Sequence, residues 1–117
     1  MSYVQGFLLP VPNANKEAYR KMASVAAEVF MENGATNVVE AWADDVPDGE
    51  HTSFPMAVKK QEDESVVFSW ITWPDKEKAT KGMEAAMVDD RLQNGFPDMP
   101  FDGKRMMWGG FEPIVEK

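Results

Sequence analysis

The order in which strand-like and helical patterns alternate along the chain is the strongest constraint on its fold. Apolar residues recur at helical spacings of three and four over 16–32 and again over 75–88. Strand-like stretches surround these two helices, at residues 3–10, 36–43, 54–60, 65–73 and 104–112. The order is therefore β-α-β-(β)-β-α-β, with a hairpin predicted from 54–60 and 65–73. It predicts an α+β fold with the ferredoxin-like split β-α-β pattern, in which two helices cover one face of an antiparallel sheet.

The composition narrows the class of protein. A chain of 117 residues, of which 44% are hydrophobic, suffices for one packed domain, predicted over 1–117. Its net charge of -8 opposes nucleic-acid phosphates, RNA included, and anionic membranes, so neither is an expected partner. The absence of cysteine excludes disulfides, thiolate nucleophiles and iron–sulfur clusters. The sequence shows no basic leader and no apolar run long enough for a membrane helix, which favours a cytoplasmic protein.

Strands with apolar side chains on both faces predict a partner for the sheet. An antiparallel sheet with one solvated face alternates apolar and polar residues, whereas 3–10, 65–73 and 104–112 carry apolar residues on both faces. Two helices cover only one face, and we call the other the open face. A second copy of the chain, packed sheet against sheet in a homodimer, is the predicted cover for the open face. The alternative is that the loop over 89–103 folds across it.

Four segments of the chain resemble a known family. They read YVQGFLLPVP at 3–12, GATNVVEAWADDVPDG at 34–49, VVFSWITWP at 66–74 and MPFDGKRMMWGGFEP at 99–113. Together they are similar to the YbaA-like family of uncharacterised bacterial proteins over essentially the whole chain. The resemblance implies the dimeric α/β-barrel superfamily, in which two ferredoxin-like units pack their sheets together. It implies no particular reaction or catalytic residue, because the superfamily ranges from cofactor-independent monooxygenases and haem-dependent enzymes to ligand-binding regulators.

Two carboxylates are candidates for acid–base catalysis. Glu40 and Asp44 share the strand parity of Trp42, so both would flank its indole on one face of a regular strand. A carboxylate in an apolar cavity has a raised pKa and can abstract a proton. The alternative is that Glu40 forms a salt bridge with Lys104 or Arg105 at an interface.

His51 is the only histidine, and it lies in the acidic, turn-rich stretch 44–52. Beside a carboxylate it would serve as an auxiliary base, because the negative charge raises the basicity of the imidazole. The alternative is an exposed loop histidine. A single histidine offers no two-histidine metal site, and the sequence points to no metal and no cofactor.

Candidates for ligand binding concentrate near the end of the chain. Arg105 is a candidate anchor for a ligand carboxylate, with Asp102 in the turn before it. The alternative is that Asp102 and Arg105 pair with each other at the dimer seam. The indoles of Trp42, Trp70 and Trp108 are candidate pocket walls, or else belong to the core of a dimer.

These observations predict a small cytoplasmic homodimer that binds a small organic molecule between the sheet and the helices. It is a candidate cofactor-independent enzyme with acid–base chemistry. The alternatives are a non-catalytic ligand sensor and a protein-interaction module. A titratable group with a shifted pKa inside the cavity favours the enzyme, whereas an apolar cavity without such a group favours the sensor.

Overall fold

The computed structural model describes residues 2–96 and 98–117, and within these ranges one antiparallel sheet is backed by helices. The strands are β1 (Tyr3–Pro12), β2 (Asn37–Trp42), β3 (Glu64–Trp73) and β4 (Met107–Phe111). The helices are α1 (Lys16–Glu32), α2 (Phe54–Ala57), α3 (Lys76–Met87) and α4 (Asp90–Gln93). The strands lie in the order β2-β3-β1-β4, and all neighbours are antiparallel. This arrangement confirms the predicted ferredoxin-like fold.

The two long helices, α1 and α3, pack on the same face of the sheet. One core cluster joins Leu9 of β1 to Tyr19 and Ala23 of α1. A second cluster joins Trp73 of β3 to Ala79 of α3. Burial of these side chains provides the main hydrophobic stabilisation of the helix layer. Within the described ranges, no helix has the length and apolar character needed to cross a membrane.

Local sequence determines where the long helices begin and end. The side chain of Asp75 accepts a hydrogen bond from the backbone N–H of Lys78 at 2.8 Å, which caps the first turn of α3. Helix α1 ends at Glu32 and is followed by Asn33 and Gly34. Gly34 has φ 109°, a conformation that glycine adopts without the steric penalty of a Cβ atom.

Gly82 lies where α3 crosses Trp73, and its replacement tests the packing of the helix layer. Trp73 is fully buried, and its indole N–H donates to Gln5 at 2.8 Å, so the ring is held in place. A Cβ atom at position 82 would overlap that ring and lie 2.9 Å from the carbonyl oxygen of Asn33. Alanine is favoured over glycine in an isolated helix by about 1 kcal/mol. We nevertheless expect Gly82→Ala to lower the free energy of unfolding by about 1–3 kcal/mol, because overpacking outweighs helix propensity.

Urea denaturation of Gly82→Ala beside Gly103→Ala measures this effect. No atom lies within 4 Å of a Cβ atom built at Gly103, so that variant is expected to change stability little. A Gly82→Ala protein more stable than the unmodified chain would contradict the packing described for Trp73.

The predicted strand over 54–60, and the hairpin with 65–73, are wrong. Residues Phe54–Ala57 form the short helix α2, in which the Oγ atom of Ser53 accepts from the N–H of Met56 at 3.1 Å and Pro55 occupies the first turn. Strand β3 already pairs with β1 along one edge and β2 along the other. No edge of β3 is therefore left for a hairpin partner, and the chain crosses from β2 to β3 through α2.

Strands β1 and β4 also differ in length from the prediction. Strand β1 continues through two prolines to Pro12, because β4 pairs only with Val4–Leu8 and leaves the rest of β1 with one neighbour. Strand β4 begins at Met107 rather than residue 104. A 3-10 turn over Gly103–Arg105 precedes it, and Asp102 caps this turn by accepting from the backbone N–H of Lys104 at 3.0 Å.

The described residues of 89–103 do not cover the open face, so that alternative is wrong. Phe101 packs edge-on against Tyr19 on the helix side, with ring centroids 5.8 Å apart. Asn15, just before α1, donates to the carbonyl oxygen of Pro100 at 2.9 Å. The loop therefore closes one end of the helix layer instead of the opposite face of the sheet.

Candidate functional site

A cleft of about 440 Å³ opens between α1 and the edge strand β2. Its helix wall uses positions spaced by three and four along α1, which share one face of a helix. The cleft is wide because small side chains face β2 along much of this wall. The lining residues are Lys16, Glu17, Tyr19, Arg20, Ala23, Ser24, Ala27, Val38, Glu40, Ala41, Trp42 and Val67.

Glu40 and Tyr19 form a hydrogen-bonded pair in this cleft. The register of β2 turns Val38, Glu40 and Trp42 towards the helices. The hydroxyl of Tyr19 donates to Oε1 of Glu40 at 2.6 Å, and Tyr19 itself is only 6% exposed. A buried tyrosine needs a partner for its hydroxyl, so the pair fixes the direction in which the Glu40 carboxylate points.

The surroundings of the pair shift both pKa values upwards. Glu40 remains accessible from the cleft, but the protein atoms around it limit its hydration, and this raises its pKa above the ordinary 4.5. The hydrogen bond from Tyr19 lowers that pKa and offsets part of the effect. Burial raises the pKa of Tyr19 far above 10, and the neighbouring Glu40 charge raises it further. Tyr19 is therefore a hydrogen-bond donor at every physiological pH, whereas Glu40 is the group able to exchange a proton.

Two cationic side chains of α1 also line the cleft. The Nζ atom of Lys16 lies 5.1 Å from the centre of a Trp42 ring, within the range of a cation–π contact. Arg20 lies 3.5 Å from Glu17, and both of these side chains are about three-quarters exposed. Exposed ion pairs of this kind contribute little to stability, so Arg20 can exchange its partner at small cost.

Arg105 and Asp102, predicted to bind a ligand, lie in an ion-pair cluster away from this cleft. Two Nη atoms of Arg105 donate to the carboxylate of Glu64 at 2.8 and 2.7 Å. Its Nε atom donates to Asp102 at 3.1 Å, and Nη1 also donates to the carbonyl oxygen of Lys59 at 3.0 Å. These contacts use the donors that an anion anchor would need, and they match the alternative in which Asp102 and Arg105 pair.

The cluster alters the pKa values of both acids. Hydrogen bonds from Arg105 lower the pKa of Glu64 against the opposing effect of its burial. The backbone N–H of Lys104 is the largest cause of the lowered pKa of Asp102, followed by Arg105. Both acids are therefore held in the ionised form.

Asp44 and His51 do not join Glu40. Strand β2 ends at Trp42, so the parity that was expected to align Asp44 with Glu40 is lost. Asp44 instead lines a smaller cleft of about 210 Å³ beside Phe54 and Phe68. His51 is exposed in the loop before α2 and lies outside the lining of both clefts. Of the three predicted acid–base residues, the structure brings only Glu40 into the larger cleft.

The three candidate indoles lie on different surfaces. Trp42 lines the larger cleft. Trp70 pairs with Gly6 and points to the open face, where its ring lies 5.4 Å from that of Phe68. Trp108, on the edge strand β4, pairs with Phe7 on the helix side and is 73% exposed. They do not line one common pocket.

Sequence reasoning missed Tyr19, Lys16 and Arg20 as parts of the site. Tyr19 falls within the apolar spacing over 16–32 that predicts α1, and this spacing describes its ring but not its hydroxyl. The spacing of Lys16 and Arg20 by four residues, with Tyr19 between them, was the signal that the three share a helix face. In 2–96 and 98–117, His, Cys, Asp and Glu side chains form no group of three or more that could hold a metal ion.

Comparisons with known proteins place the chain in a family. The family model described as "Protein of unknown function (DUF1428)" matches residues 2–103. The chain is 52% identical to "Uncharacterized protein YbaA" of Escherichia coli K12 over 117 residues, and equally to that of Shigella flexneri, with both chains fully covered. A dimeric ferredoxin-like protein from an uncultured marine organism has a similar fold, with a TM-score of 0.55, 9% identity and full coverage of both chains. The chain thus belongs to the DUF1428 family, which the resemblance to YbaA-like proteins predicted.

Proposed function

We propose that this protein is a homodimer that binds a small organic molecule in the cleft between α1 and β2, where Glu40 acts as an acid–base group. The observation that carries the proposal is the Glu40–Tyr19 pair, a carboxylate with a raised pKa held in one orientation inside a cleft of about 440 Å³. Clefts of this volume accommodate small organic ligands.

A general base needs a defined position and a pKa near the working pH. Tyr19 holds Oε1 of Glu40 at 2.6 Å, which defines its position, and the cleft shifts the pKa of Glu40 upwards by limiting hydration of the carboxylate. A titratable group shifted in this way favours acid–base chemistry over a purely apolar sensor site. The reaction class we propose is proton abstraction from, or proton transfer within, a bound organic molecule.

The proposed chemistry predicts a specific effect of Glu40→Gln. Saturation-transfer NMR on a panel of small organic acids and ketones identifies compounds that bind. Proton–nitrogen correlation spectra of the protein then select those whose binding shifts the Trp42 indole N–H signal. For a bound compound with an acidic C–H, we expect the protein to accelerate exchange of that hydrogen in deuterated water. Glu40→Gln is expected to slow the exchange by roughly 10²–10⁴-fold, because the amide accepts no proton. Exchange that is equally fast in Glu40→Gln, or binding that leaves the Trp42 signal unchanged, would contradict this assignment.

Tyr19→Phe tests how the carboxylate is tuned. The Tyr19 hydroxyl favours the ionised form of Glu40, so its removal is expected to raise the Glu40 pKa further above 4.5. A group whose pKa is raised by folding stabilises the protein below its unfolded pKa, and that contribution is lost as the pH rises through the folded value. Carbon-detected NMR titration of the Glu40 carboxyl in both proteins measures the shift. A lower Glu40 pKa in Tyr19→Phe would contradict the role given to Tyr19.

The homodimer part of the proposal rests on the open face. Pairing in the sheet turns a set of apolar side chains to this side, namely Val4, Leu8, Phe68, Trp70, Met107 and Phe111. Phe68 and Met107 are about half exposed, and Phe111 is 63% exposed. Contiguous apolar surface of this kind marks interaction sites on soluble proteins.

A second copy is the occupant that we propose for the open face. The described residues of 89–103 pack on the helix side. Helix α2 reaches only one end of the open face, where Phe54 lies 6.0 Å from Phe68 between ring centroids. Obligate homodimer interfaces have this apolar character. The similar fold of a protein described as dimeric adds support. Because the α1–β2 cleft lies on the helix side, such a dimer would leave both copies of the cleft open to ligands.

A further inference from the structure

We infer that the α1–β2 cleft takes a small organic anion with a flat apolar body, whose acidic group pairs with Lys16 and Arg20 while a hydrogen-bond donor faces Glu40. This inference rests on the proposed function and adds the chemical class of the ligand. None of the residues predicted from the sequence to hold an anion lies in this cleft, so the charge recognition falls to side chains of α1.

The cleft is less acidic than the protein as a whole, because its lining holds two cations, Lys16 and Arg20, beside two carboxylates, Glu17 and Glu40. The chain has a net charge of -8, and its long-range field repels anions. Lys16 and Arg20 nevertheless both line the cleft, one turn apart on the same face of α1. Two cations at this spacing suit a carboxylate or similar group.

Both cations are available to a ligand. The ammonium group of Lys16 rests over the Trp42 indole, a contact that leaves its N–H donors able to bind an anion. Arg20 is engaged by Glu17 at 3.5 Å, with both side chains well exposed. A ligand anion can displace Glu17, because an exposed pair of this length contributes little.

The remaining walls define the rest of the ligand. The Trp42 indole, with Ala23, Ala27 and Val67, offers an apolar surface for a flat ring or a short alkyl chain. Glu40 offers a carboxylate oxygen as an acceptor, which suits a hydroxyl, an amine or an acidic C–H on the ligand. The ligand class that satisfies all three parts carries an acid at one end and a donor at the other.

Three matched probes test the class, namely para-hydroxybenzoate, para-hydroxybenzyl alcohol and benzoate. The first has both the anion and the donor, the second lacks the anion, and the third lacks the donor. Titrations followed by the Trp42 indole N–H signal are expected to show para-hydroxybenzoate binding roughly tenfold more tightly than the alcohol. Lys16→Met, which keeps an unbranched apolar chain over the indole, is expected to remove most of that difference. Lys21→Met removes an exposed cation of α1 that does not line the cleft, so it is the control.

The outcomes separate the ligand class from the proposed function. The inference that the ligand is an anion is wrong if the alcohol binds as tightly as para-hydroxybenzoate, or if Lys16→Met keeps the preference for para-hydroxybenzoate over the alcohol. The proposal that the cleft binds a ligand would still stand in both cases. If none of the probes, and no member of the wider panel, shifts the Trp42 signal, both the class and the proposed function are wrong. Binding of the two anions that weakens with added salt, while that of the alcohol does not, supports the inference.

Discussion

Phe68→Lys is expected to convert the proposed homodimer into a folded monomer. Phe68 lies in the middle of β3, points to the open face and is 48% exposed in the single chain. A second copy packed on this face would bury two lysine ammonium groups, one from each chain, without partners. Burial of an unpaired charge costs several kcal/mol, so dimerisation should weaken by roughly a thousandfold or more. Size-exclusion chromatography with light scattering measures the change, and circular dichroism verifies the fold.

Trp108→Lys is the matched control on the same sheet. Trp108 is even more exposed than Phe68, at 73%, but the register turns it to the helix side of β4. Loss of an exposed aromatic ring is common to both variants, and only the face differs. Trp108→Lys is therefore expected to remain dimeric. If Trp108→Lys dissociates and Phe68→Lys does not, the dimer interface lies on the helix side of the sheet and not on the open face.

Arg105→Met is expected to cause the largest loss of thermal stability among the charged positions. Glu64 is only 4% exposed and carries two hydrogen bonds from Arg105. The variant leaves that carboxylate buried without its cation, which is far more costly than losing an exposed pair. At neutral pH we expect the melting temperature to fall by roughly 10 °C. Lys104→Met, an exposed cation beside it, is expected to change the melting temperature little.

The pH dependence of this loss identifies its cause. Folding lowers the pKa of Glu64, so its contribution to stability is present above its ordinary value of 4.5 and is lost as the pH falls through the folded value. In Arg105→Met, protonation of Glu64 removes the cost of burying its unpaired negative charge. The gap in melting temperature between the two proteins should therefore narrow below about pH 4.5. Adding Glu64→Gln to Arg105→Met should recover part of the lost melting temperature at neutral pH. If it recovers none, the loss comes from changed packing alone and not from the unpaired charge.

The element order and the strand parities could be predicted because both depend on local periodicity. The apolar spacing of α1 and the two apolar faces of β3 can each be recognised within a short stretch of the sequence. The stretch after β2 was misjudged because Phe54 and Val58 also suit a strand. What excludes a strand there is non-local, since β3 has both edges occupied by β1 and β2.

The site was predicted only in part for a related reason. Glu40 and Trp42 were identified from strand parity, which a short regular strand preserves. Asp44 follows the end of β2, where parity no longer applies. Arg105 has the chemistry of an anion anchor, but its partner Glu64 lies 41 residues earlier in the chain, and no local pattern links the two. The pairing of Tyr19 with Glu40, across 21 residues, depends in the same way on how α1 crosses the sheet.

Sedimentation equilibrium of the unmodified chain measures whether a second copy covers the open face of the sheet. The proposed homodimer predicts a single species of twice the 13.2 kDa of one chain at micromolar concentrations, and a shift to single chains only on strong dilution. A mass of 13.2 kDa that stays constant up to high micromolar concentrations would contradict it, because Phe68, Trp70 and Phe111 would then remain in water in the native protein.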